Sequence, residues 1–185
     1  MRRLSPFVAI VLMYGARLAY GVDGQPRRAR AVAITPPFVA AGAVGTITAS
    51  PSTITFTATD PDLGSVSGSS PATVSWTVSG GNNNNNWTLT VQAVGTSFSG
   101  CGTVPASAVT VACSSATVSG GSGTGVCSGA FQLSTVPQQA AGGNEGNGSR
   151  SYTATLNYTL VDSWRRVAAL SPPCTLTLTY TVNAP

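Results

Sequence analysis

Long stretches of this chain alternate strictly between an apolar residue and a hydroxyl-bearing one, and that period leaves few folds open. Ile54, Phe56 and Ala58 alternate with Thr53, Thr55 and Thr57, and Val74, Trp76 and Val78 with Thr73, Ser75 and Thr77. Trp87, Leu89, Val91 and Ala93 do the same against Thr88, Thr90 and Gln92. So do Tyr152, Ala154, Leu156, Tyr158 and Leu160, and again Leu176, Leu178, Tyr180 and Val182. Side chains on a strand point alternately to its two faces, so each run buries one stripe and wets the other. Ala108–Ala112, Thr117–Ser119 and Ala130–Ser134 are shorter candidates. Turn formers separate the runs at Asp60-Pro61-Asp62, Ser67–Pro71, Gly80–Asn86, Gly120–Gly125, Gly142–Ser149 and Pro172-Pro173. This predicts an all-β fold, a two-sheet antiparallel immunoglobulin-like β-sandwich of about 7–9 strands, with a closed barrel as the alternative.

Only 8% of the 185 residues are charged, and there is neither His nor Lys. The net charge of +4 comes from the N-terminal region. From Thr35 onward three arginines (Arg150, Arg165, Arg166) face four acids (Asp60, Asp62, Glu145, Asp162), a balance of −1. A duplex binder needs several cations on one face, so nucleic acid is excluded as a partner. Threonine on the wetted faces supplies solubility without charge.

At the N-terminus, two arginines in Met1–Pro6 precede the apolar run Phe7–Ala16, and Ala19-Tyr20-Gly21 offers small residues for cleavage. The run is too short to cross a bilayer, which needs about 20 residues. Residues 1–21 read as a signal peptide and 22–43, with Pro26, Pro36, Pro37 and an arginine patch, as a linker. Residues 44–185 form the single domain, with no membrane span in the mature chain. Location is then secreted or cell-surface. In that compartment Cys101, Cys113, Cys127 and Cys174 read as two disulfides. A hairpin centred on Gly120-Gly121 favours Cys113–Cys127 with Cys101–Cys174; Cys101–Cys113 with Cys127–Cys174 is the alternative.

Catalysis has little to work with. Serines and threonines are plentiful, but activation needs a base within hydrogen-bond reach, and His and Lys are missing. Asp60 with Asp62, and Glu145 with Asp162, are the remaining carboxylate pairs; Asp-Pro-Asp is first a turn. No catalytic residue, metal or cofactor is expected. Binding is expected instead at two places. One is the polar tract Asn82, Asn83, Asn84, Asn85 and Asn86, read as a hairpin loop between two Trp-bearing strands. The other is Trp164 with Arg165 and Arg166, an aromatic beside the domain's densest positive charge.

Two segments resemble the WxL surface domains of bacterial cell walls. The first is Asn86-Trp87-Thr88-Leu89-Thr90-Val91, with the family's Trp and Leu at Trp87 and Leu89. The second runs from Tyr152 to Asp162 and carries Tyr158 where a Trp is expected, followed by Leu160. The resemblance implies a non-enzymatic bacterial surface domain whose partner is a cell-wall polymer or a surface protein. On period-two parity, Trp87 and Leu89 share an inward stripe with Val91 and read as core. A structural subunit assembling by strand addition is the alternative function, and it calls for an N-terminal donor such as Ala31-Val32-Ala33-Ile34.

Unfolded, non-reduced protein should titrate no free thiol, and reduction should cost about 2–4 kcal/mol per bridge. Two or more free thiols would remove the disulfide framework.

Overall fold

The computed structural model describes residues 28–33, 39–42, 44–58, 64–78, 85–100, 104–161 and 174–184. Thirteen strands follow one another: β1 Arg28–Ala33, β2 Val39–Gly42, β3 Val44–Ser50, β4 Thr53–Ala58, β5 Val66–Ser67, β6 Ala72–Val78 and β7 Asn86–Ala93. Then come β8 Val109–Ser119, β9 Val126–Cys127, β10 Phe131–Gln132, β11 Gln138–Asn144, β12 Arg150–Leu160 and β13 Leu178–Ala184. One sheet runs β10-β8-β12-β6-β3, with β5 also on β12, and the other runs β2-β13-β7-β11-β9. β1 pairs with β4 alone, and β2 lies parallel to β13 at an edge that is otherwise antiparallel. The two sheets pack face to face as an all-β sandwich around one apolar core.

The alternating runs land as read, except that Thr179, read onto the wetted face of β13, is buried. In β12, Tyr152, Ala154, Leu156, Tyr158 and Leu160 are buried and the residues between them are wetter. The outer face of this sheet carries hydroxyls in register: Thr48, Ser75, Thr153 and Thr117 form one row across β3, β6, β12 and β8. Ser50, Thr73, Thr155 and Ser115 form the next.

Several features differ from the sequence reading, each for a local reason. Most of Ala108–Ala112 and all of Thr117–Ser119 belong to one strand, β8, which starts at Val109 and is broken in parity by a bulge. Ser115 faces Thr155 while Cys113 faces Leu156, so Ser114 is the extra residue. Val109 and Val111 therefore point inward before the bulge, and Ala116 and Val118 lie opposite Ala154 and Tyr152 after it. Gly142 and Gly143, read as a turn, lie inside β11. A Cβ on Gly143 would collide with the Thr124 carbonyl oxygen, so glycine here permits a close approach of two backbones. The span read as a linker, 22–43, contributes β1 and β2.

The Cys113–Cys127 bridge is present with Cα atoms 5.3 Å apart, but it does not close a hairpin. β8 belongs to one sheet and β9 to the other, so the bond ties the layers together across one side of the sandwich. Gly120 and Gly121, at φ of 76° and 64°, make the bend between them. Cys174 is fully buried and also disulfide-bonded. Cys101 lies outside the described residues.

Aromatic rings join the layers inside. Tyr152 stacks on Trp76, its partner on the neighbouring strand, at 5.4 Å between ring centroids. Trp87, from the opposite sheet, meets both edge-on at 5.1 and 5.3 Å. Its indole N–H donates to the Thr124 carbonyl at 2.9 Å, which keeps a polar atom satisfied at full burial. Nearer the other end, the Tyr158 and Tyr180 hydroxyls share a 2.6 Å hydrogen bond across the layers. Burial pushes both phenols up, so both stay neutral and bonded at any ordinary pH.

Replacing Trp87 with Ala should cost about 3–5 kcal/mol, the range for emptying an aromatic core position. Chemical denaturation reads this directly; an unchanged midpoint would show that the indole does not hold the sheets together.

Candidate functional site

The most unusual chemistry gathers at the end of the sandwich where β7 and β12 begin and β8 and β11 finish. Asn86 opens β7 there with Asn85 just before it, both exposed. The Glu145 N–H donates to the Asn85 carbonyl at 2.8 Å, and Asn86 pairs with Asn144. Asn82, Asn83 and Asn84 lie outside the described residues. The tract joins β6 to β7, which belong to opposite sheets, so it is a crossing between layers rather than a hairpin loop. That crossing follows from Trp76 and Trp87 having to meet face to edge from the two layers.

Beneath this end lie Glu145 and Arg150, each 2% exposed. All three guanidinium nitrogens of Arg150 and Oε1 of Glu145 are buried without a hydrogen-bond partner. Arg150 opens β12 opposite Val78, on the same inward stripe as Tyr152 and Ala154. Its stem packs against Gly121, where a Cβ would crowd it, and Tyr152 donates its hydroxyl to the Glu145 carbonyl at 2.8 Å. Burial raises the Glu145 carboxyl above the usual carboxylate range, while the Arg150 guanidinium draws it part of the way back. Burial raises the Tyr152 phenol as well. The inward position of Arg150 was readable, because it shares parity with Tyr152; arginine's usual preference for solvent hid it.

The other expected site residues divide. Trp164, Arg165 and Arg166 lie outside the described residues, as do Asp60, Asp62 and Asp162. Trp87, Leu89, Tyr158 and Leu160 are all in the core, none more than 3% exposed. Trp87 and Leu89 sit on β7 in one layer and Tyr158 and Leu160 on β12 in the other. Among the described residues, no three Cys, Asp or Glu side chains gather closely enough to hold a metal, and no helix is long and apolar enough to cross a membrane. No protein-family model, curated protein or solved structure matches the chain.

Chemically, the end-site brings one cation and one carboxylate into a poorly solvated place without direct pairing. A carboxyl whose value is raised by folding holds its proton to higher pH than it does unfolded. Its stabilising share is therefore intact below the unfolded value and is lost as pH climbs through the folded one. Relative to Glu145→Gln, the parent should lose stability as pH rises above about 4.3, the ordinary Glu value. Melting curves of both proteins across that range test this, and parallel curves would show that Glu145 titrates as though exposed.

Proposed function

We propose that this chain is an exported, non-catalytic domain of a bacterial cell surface that holds to a wall polymer or to another surface protein. The observation that carries the reading is the Cys113–Cys127 bond joining the two sheets, together with the bonded Cys174 in the core. Structural bridges of this kind form and persist in oxidising compartments and are rare in the cytosol. Three further features support it. The leader-like residues 1–21 suit export, and the outer sheet face is wetted by hydroxyls in place of charge. The WxL-like segments supply the core stripes of both layers, which fits a domain whose motif residues act by packing. On this reading, contact with the partner falls to loops, where binding residues tend to sit, and Arg165-Arg166 is the charge suited to an anionic polymer.

Chain purified from an oxidising compartment should co-sediment with purified bacterial cell walls. Replacing Arg165 and Arg166 with Ala should weaken that attachment without moving the melting temperature, and added salt should mimic the replacement. Absence of the parent from the wall pellet at low salt would sink the proposal.

A further inference from the structure

The sandwich has two long sides, and they are closed by different means. On one, the Cys113–Cys127 bond ties β8 to β9. At the opposite edge of the five-stranded sheet lies β2, the second strand of an N-terminal arm whose first strand, β1, pairs with β4 in a two-stranded sheet of its own. β1 pairs along six residues of β4, from Arg28 opposite Ala58 to Ala33 opposite Thr53. β2 then pairs in parallel with β13, from Val39 opposite Thr181 to Gly42 opposite Ala184.

The strands that receive the arm are already core strands. Ile54 and Phe56 of β4 are 0% and 1% exposed, and Val182 and Ala184 of β13 are fully buried. The arm pairs its main chain with both of them. An open row of N–H and C=O groups is a template for any strand of suitable length. The connection that holds the arm in place is short. A single residue separates β2, in the five-stranded sheet, from β3, in the six-stranded one. Short hinges between elements invite exchange of those elements between molecules, since the exchanged contacts are identical to the original ones.

We propose that this arm exchanges between copies of the chain, the arm of one molecule pairing with β4 and β13 of the next. The partner is a second copy because the two acceptor edges, one antiparallel and one parallel, match the two strands of this arm in order and length. Each exchange breaks and remakes the same hydrogen bonds, so concentration decides its extent. Crowding on a surface favours it. Head-to-tail exchange leaves a free arm and a free pair of edges at the ends, so the product extends into a chain of molecules, whereas reciprocal exchange stops at a dimer.

The test is refolding of the full chain at micromolar and at millimolar concentration, followed by size-exclusion chromatography with light scattering. Expected are monomers at the lower concentration and dimers or a ladder at the higher, persisting after dilution. Inserting Gly-Gly-Ser after Ala43 relaxes the hinge and should abolish the larger species. In parallel, a chain lacking residues 22–42 should take up a synthetic peptide of those residues in a one-to-one ratio. Monomers throughout the concentration series would overturn the proposal, as would oligomers that survive the hinge insertion. A folded trimmed chain that ignores the peptide would do the same. If the trimmed chain does not fold, the concentration series and the hinge variant decide the matter alone.

Discussion

The meeting of Trp87 with Trp76 and Tyr152 is the contact on which the remaining architecture turns. Two sheets that carry almost no charge depend on apolar contact between their faces, and three large rings with centroids about 5 Å apart supply it here. The rings also dictate the chain path. Trp87 can satisfy its N–H only if the Thr124 carbonyl comes down on it, which brings the Gly120–Gly125 bend against β11. That approach in turn requires glycine at Gly143, where a side chain would strike the same carbonyl. One packing decision in the core thus accounts for a glycine cluster that would otherwise read as loop.

Closure at the sides follows a second logic. An antiparallel sandwich exposes the backbone of its outermost strands, and native proteins usually blunt such edges with lysine, proline or a bulge. This chain has no lysine. One side is instead limited to the two-residue strands β9 and β10 and tied by a disulfide between β8 and β9. At the opposite edge β2 pairs in parallel along β13, while β1 pairs with β4 in a separate two-stranded sheet. The first closure is covalent and the second depends on main-chain hydrogen bonds, so the two sides differ in how readily each can open.

Alternation made the long strands legible from residues alone: β4, β6, β7, β12 and β13 lie where the apolar and hydroxyl stripes fall. It failed where parity is broken or absent. The bulge at Ser114 swaps the inward set from odd to even positions, so β8 looked like two short fragments. β11 has the sequence Gln-Gln-Ala-Ala-Gly-Gly-Asn, which alternates nothing and contains two residues that ordinarily mark turns. β1 and β2 follow a leader-like segment and are surrounded by proline, so their pairing to β4 and β13 depends on distant partners that no local pattern reveals. The Cys113–Cys127 pairing was legible but its meaning was not, because spacing around Gly120-Gly121 fits a hairpin and a crossing between layers equally well. Of the candidate site, the asparagine tract stood out as low complexity, while the buried Arg150 beneath it required trusting parity over the solvent preference of arginine.

The same scarcity of charge that leaves packing in command also concentrates the protein's response to pH. With no histidine, no side chain of the protein has an ordinary titration near neutrality. The phenols of Tyr158 and Tyr180 are bonded to each other and driven upward by burial. Among the described residues this leaves the Glu145 carboxyl as the one acid in the interior, held above its usual range by burial. Arg150 eases that burden without removing it, since its own nitrogens have no hydrogen-bond partner among the described residues. Two buried charges that do not pair are a net cost in a sandwich otherwise assembled from apolar and hydroxyl groups. That cost falls at the end where the chain crosses between layers. The end where Trp76, Trp87 and Tyr152 meet is therefore also the one that holds the buried Glu145 and Arg150 side chains. Tyr152 links them: its ring stacks on Trp76 while its hydroxyl donates to the Glu145 carbonyl.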